Sequence, residues 1–143
     1  MRTRVLSHAI YRHQYHLVWG TKYRRKFLKP YVTPAFGEVL ASVVKKYPNL
    51  HLITFATNND HVHIQLEIPP NVTVSSVVQK IKWRSSLGLK KQFKFIDKMY
   101  LEHSIWQVGY FSSTVGVSES IIEKYIKYQD KQEKSVQIKL GFE

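Results

Sequence analysis

Between Gln14 and Gly20 the apolar side chains of Tyr15, Leu17 and Trp19 recur at every second position. That period of two predicts a strand with one buried face. Thr33 followed by Pro34 reads as an N-cap with proline at the first helical position. Behind it Phe36, Val39, Leu40, Val43, Val44 and Tyr47 recur at spacings of three and four. An amphipathic helix ending before Pro48 follows from that spacing. A second strand is expected over His51 to Thr57. Asn58-Asn59-Asp60 then turns the chain, and "HVHIQLEIPP" returns as its hairpin partner, stopped by Pro69 and Pro70. In this strand Val62, Ile64, Leu66 and Ile68 share one face, while His61, His63, Gln65 and Glu67 share the other.

Val74, Val77, Val78 and Ile81 mark a second helix, and "LGLKKQFKFIDKMYLEHS" reads as a short helix and loops. "IWQVGYFSSTV" has strand-like content punctuated by Gly109 and Gly116. A last helix is expected from Ser118, as N-cap, to about Lys134. The order β-α-β-β-α-β-α predicts an α+β fold: a ferredoxin-like split βαβ sandwich, its antiparallel sheet carrying helices on one face, plus a C-terminal helix. At 143 residues the chain is expected to form one domain spanning residues 1–143.

Charge sharpens this picture. Against 10 Asp plus Glu stand 22 Lys plus Arg, a formal net charge of +12, which suits a polyanionic partner. The excess is clustered. "TKYRRKFLK" holds Lys22, Arg24, Arg25 and Lys26 around Tyr23, and "QKIKWRSS" holds Lys80, Lys82 and Arg84 around Trp83. Basic residues interleaved with aromatics suit single-stranded nucleic acid, where phosphates need charge and open bases need stacking surfaces. Tyr23 and Trp83 would serve equally well as core residues. The absence of cysteine excludes disulfides, thiolate metal sites and a cysteine nucleophile. No apolar run reaches membrane-spanning length and the N-terminus lacks a signal-peptide core, so the protein is expected in the cytoplasm, away from membranes.

The face carrying His61 and His63 needs a use. Two imidazoles one residue apart on a strand point the same way, within reach of one metal ion. A third ligand must then be His, Asp, Glu, Gln or water. In the last helix Gln129 falls among Ile121, Ile122 and Ile126, with Tyr125 one turn before it. A glutamine on an inner face requires a partner, and a metal or a substrate would provide one. Ten carboxylates without a converging group argue against a carboxylate two-metal nuclease. No glycine-rich phosphate loop or nucleophile elbow is present.

With His61-Val62-His63 and the Tyr125/Gln129 pair in hand, the chain resembles the single-tyrosine HUH transposases of the insertion-sequence 200/605 family. "YHLVWGTKYRRKFL", "DHVHIQLEIPP", "VSSVVQKIKWRSS", "IWQVGYFSSTVG" and "YIKYQ" are similar to that family's segments, in order, over nearly the whole chain. One departure is Trp83, where the family usually has glycine. The resemblance implies that Tyr125 is the nucleophile and that His61, His63 and Gln129 hold Mg2+ or Mn2+. Asp60 would then orient a histidine, or serve only as a turn residue. It implies further a homodimer with shared active sites, acting on single-stranded DNA with hairpin ends, and Lys22, Arg24, Arg25, Lys26, Lys82 and Arg84 as DNA contacts. A replication initiator, a relaxase, a domesticated relative or a non-catalytic nucleic-acid-binding module remain alternatives. Tyr128 also has a glutamine four residues on, but it sits about 100° from the isoleucine centre of the helix, where Tyr125 is nearer.

Overall fold

The computed structural model, which describes residues 3–6, 9–11 and 13–139, begins with two strands that the hydrophobic pattern does not announce. β1 (Arg4–Leu6) and β2 (Ala9–Tyr11) pair antiparallel as a separate ribbon. Three residues per strand are too few for alternation to register.

The main sheet is built on β3 (Gln14–Gly20), which coincides with the alternating segment. β3 pairs with β5 (His61–Glu67) on one side and β6 (Phe111–Ser113) on the other, and β4 (His51–Asn58) pairs with β5 at the edge. The order β4-β5-β3-β6 is antiparallel throughout. With α1 (Thr33–Lys45) and α2 (Val74–Gln92) over one face, this is the ferredoxin-like split βαβ arrangement. α3 (Lys94–Tyr100) and α4 (Glu119–Lys139) complete the chain.

Leu17 and Trp19 of β3 and Val62, Ile64 and Leu66 of β5 meet Phe36, Leu40 and Val43 of α1 and Val77, Val78 and Ile81 of α2 in one buried cluster. Each such side chain contributes roughly 1.5–3 kcal/mol when fully buried. The other face is different. There Val18 packs with Ile122 and Ile126 of α4, with Phe111, Val117 and Tyr125 partly buried around them. Val18 is the Cα partner of His63 and Gly20 that of His61, so α4 lies on the histidine face.

Several local readings change. Val32, not Thr33, occupies the N-cap of α1, and the Thr33 hydroxyl instead shares a 2.8 Å hydrogen bond with that of Thr57. α2 continues well past Ile81, to Gln92. Only Phe111–Ser113 of "IWQVGYFSSTV" is a strand. Ile105 and Trp106 are buried core residues instead, with Trp106 edge-on to Trp19 at 6.2 Å. Ser118 does cap α4, its Oγ accepting from the Ile121 N–H at 3.3 Å.

Candidate active site

The turn between β4 and β5 delivers Asp60 and His61 together. The His61 Nδ1–H donates to Asp60 Oδ1 at 2.9 Å, which fixes the ring and leaves Nε2 as the nitrogen able to bind an ion. Asp60 Oδ2 accepts from Arg24 Nε and Nη2 at 3.2 and 3.0 Å. Burial alone would raise this carboxyl, but the hydrogen bonds from His61 and Arg24 outweigh it and hold Asp60 below its ordinary range. Asp60 thus links the basic turn to the first histidine.

His63, two residues on, faces the same way. Its Nε2 lies 3.3 Å from Nδ1 of His16, a residue the sequence reading did not single out. Burial first, and the neighbouring His16 second, push the His63 pKa down, favouring the neutral imidazole that a metal requires. The signal for His16 was available: it stands out of phase with Tyr15, Leu17 and Trp19, hence on the histidine face.

α4 presents two different shoulders to this face. Glu119, Glu123 and Ile126 line a cleft of about 230 Å³ together with Arg24, Lys26, Asn58, Asn59, Asp60 and His61. Tyr125 lies on the other shoulder, its ring 5.9 Å from that of Phe111. Its hydroxyl is buried without a hydrogen-bond partner, and burial raises its pKa. Gln129 packs at Gly109, where a β-carbon would meet its amide at 3.6 Å. Ile121, counted with the inner face in the sequence, is exposed, so the centre of that face shifts away from Tyr125. Tyr128 is 57% exposed. Among the described residues no group of three or more His, Cys, Asp or Glu is assembled to hold a metal. The two imidazoles share one strand face and suit a divalent ion in type, while Nε2 of His63 is turned to Nδ1 of His16. The Gln129 amide stands with Gly109, outside the cleft that His61 lines.

The basic residues divide as well. Lys22 and Lys26 flank the turn, Arg25 stacks over Tyr23 and Tyr100, and Arg24 is bonded to Asp60 and, at 2.9 Å, to Asp130. Lys82 is turned inward, its ammonium 2.7 and 2.5 Å from the carbonyls of Gln107 and Gly109. Burial lowers its pKa to about 8. Arg84 remains outside, its guanidinium 5.5 Å from the ring of Trp83, which Lys80 also overlies. Trp83 is 54% exposed and Tyr23 is exposed too, so neither is core. No helix among the described residues is long and apolar enough to cross a membrane.

A family model described as "Transposase IS200 like" matches residues 9–129, a span that takes in His61, His63, Tyr125 and Gln129. The transposase for insertion sequence element IS200 of Salmonella typhimurium is 34% identical over 129 residues, covering 90% of this chain and 84% of that protein. The ISDra2 transposase TnpA of Deinococcus radiodurans is 26% identical over 125 residues, 87% of this chain and 89% of its own. Among solved structures, a candidate transposase from Deinococcus radiodurans superimposes with a TM-score of 0.76 at 25% identity, over 88% of this chain and 97% of that one. A REP-associated tyrosine transposase bound to a REP hairpin shares the fold, with a TM-score of 0.55 at 14% identity over 92% of this chain and 70% of that one.

Proposed function

The chain belongs to the IS200-like transposase family, and on that premise we propose that it cuts and rejoins single-stranded DNA at insertion-sequence ends through a phosphotyrosine at Tyr125. The observation that carries this reading is His61 held through Nδ1 by Asp60 at 2.9 Å, with His63 beside it on the same face. Mg2+ or Mn2+ held by His61, His63 and Gln129 would supply Lewis-acid polarisation of the scissile phosphodiester.

The chain's own groups do the rest. The Tyr125 oxygen forms a bond to phosphorus as the bond from phosphorus to O3′ breaks. The tyrosine proton is lost to solvent and the departing 3′ oxygen gains one. One phosphodiester replaces another, so a strand bearing a 3′-OH can later reverse the step without ATP. In the docked position the Tyr125 hydroxyl is buried without a hydrogen-bond partner, and burial raises its pKa. This reading includes a homodimer in which α4 of one subunit serves the histidines of the other, since Tyr125 is not among the residues that line the cleft of His61. Lys22, Arg24, Arg25, Lys26 and Arg84 are the DNA contacts of this reading. Lys82, paired with two main-chain carbonyls, instead braces the 107–109 loop. Hairpin ends as the recognised form agree with the hairpin borne by the REP-associated relative, and the cytoplasm is where such DNA is met.

The test is a hairpin-bearing labelled oligonucleotide, incubated with Mg2+ and resolved under denaturing conditions. Wild type and Tyr128→Phe should form a covalent adduct, and Tyr125→Phe should not. An adduct that survives Tyr125→Phe refutes the assignment.

A further inference from the structure

The basic turn before the first helix carries anions already, and they are the chain's own. Tyr23 and Arg24 both adopt positive φ, 59° and 52°. Arg24 N–H bonds to the carbonyl of Thr21 and Arg25 N–H to that of Lys22, while Tyr23 N–H reaches both carboxylate oxygens of Glu133 at 3.1 Å. Gln107, 1% exposed, donates through Nε2 to Glu133 Oε1 at 2.8 Å and to Asp130 Oδ1 at 3.1 Å. Arg24 Nη1 holds the other oxygen of Asp130 at 2.9 Å. A backbone N–H, a buried amide and a guanidinium thus converge on two carboxylates three residues apart on α4. These are donors that a phosphate takes as readily as a carboxylate. Lys22, over the Tyr23 ring, and Lys26, in the cleft beside Arg24, add positive charge to the same turn.

We propose that the turn of residues 21–25, with Gln107, is a seat for a DNA backbone phosphate that Asp130 and Glu133 occupy in the absence of DNA, so that a strand binding there displaces α4 from the sheet. The proposal rests on the reading of the ligand as single-stranded DNA. It follows from competition: Arg24, Gln107 and the Tyr23 N–H cannot serve a carboxylate and a phosphate at once. What else holds α4 is one cluster, Ile122 and Ile126 against Val18 with Phe111, Val117 and Tyr125 around them, together with Gln129 at Gly109. Release also frees the shoulder that carries Tyr125, whose hydroxyl has no partner where it lies. Arg24 further ties Asp130 to Asp60, and Asp60 to His61, so the same arrival is felt at the histidine.

The experiment compares the wild type with Asp130→Asn/Glu133→Gln, using a fluorescein-labelled twenty-nucleotide thymidine strand at fixed salt. Glu38→Gln/Glu102→Gln, which removes equal charge from exposed sites elsewhere, is the control. The latch variant should bind about tenfold tighter, as expected when a competing internal state is removed, and the control within about twofold. In the wild type, backbone amides of residues 122–133 should exchange faster with saturating strand. In the latch variant they should do so without it. Equal gains for latch variant and control, α4 protection unchanged by bound strand, or no binding at all would each overturn the proposal. The wild-type exchange measurement stands even if the double variant folds poorly. Loss of the Tyr125 adduct would refute the transesterification alone, whereas an intact adduct with an unmoved α4 would refute the latch alone.

Discussion

Truncating Asp60 to alanine removes three contacts together: from His61 Nδ1 at 2.9 Å, and from Arg24 Nε and Nη2 at 3.2 and 3.0 Å. The residue is 6% exposed, so its carboxylate is largely desolvated. The Arg24 side chain is 39% exposed, and its share is screened by water. Charge-assisted hydrogen bonds are worth roughly 1.5–3 kcal/mol each; with the arginine share discounted, the loss is about 2–4 kcal/mol. At some 2–4 °C per kcal/mol for a chain near this size, Tm should fall by roughly 5–15 °C. The sign with pH follows from the depressed carboxyl. Its stabilisation is present above the ordinary value of 3.8 and is lost as pH falls through the lower folded value. Acid unfolding of Asp60→Ala should therefore depend less on pH below about 4 than that of the wild type. At a temperature well below both transitions, His61 would lose its fixed tautomer. Half-saturating Mg2+ for cleavage should then rise by about 10–100-fold, with the maximal rate recovered at high metal. A lowered Tm with unchanged metal dependence would reduce Asp60 to a turn residue and refute the reasoning.

Other consequences are equally direct. A β-carbon at Gly20 would stand 2.6 Å from Gln107 Oε1 and 3.2 Å from Ile126 Cδ1, so Gly20→Ala should loosen α4 and cost about 1–3 kcal/mol in urea unfolding; an unchanged midpoint would mean the contact relaxes freely. Lys82 has a folded pKa of about 8 against an ordinary 10.5, so the unfolded chain binds more protons between those values. Stability should accordingly rise from pH 8 to 10 relative to Lys82→Met, and a flat difference between the two unfolding curves would contradict it. Trp19 and Trp106 are buried while Trp83 is exposed, so acrylamide should quench chiefly Trp83. Bound single strand should protect it if bases stack there, and equal quenching with and without DNA would exclude that contact.

What the sequence disclosed follows the range over which each signal acts. β3 emerged with its observed bounds because Tyr15, Leu17 and Trp19 keep one phase, although Val18 between them is buried as well, under α4. The histidine strand was equally plain, since Val62, Ile64 and Leu66 fix the register that turns His61 and His63 outward. β1 and β2 escaped notice because three residues carry no period. "IWQVGYFSSTV" misled because Ile105 and Trp106 fill the core from irregular backbone, which is as apolar in sequence as a strand. The charge of Lys82 was legible in sequence, whereas its two carbonyl partners 25 and 27 residues away were not. The position of Tyr125 relative to the cleft depends on how α4 docks, and no local pattern specifies that.

The shared site is tested most directly by mixing subunits. Tyr125→Phe and His61→Ala proteins, each unable alone to form the covalent DNA adduct, are combined in equal amounts and allowed to exchange. If the tyrosine of one subunit serves the histidines of its partner, every mixed dimer holds one intact site, and random pairing restores about a quarter of the wild-type adduct. A mixture that forms no adduct, with exchange verified, contradicts the account.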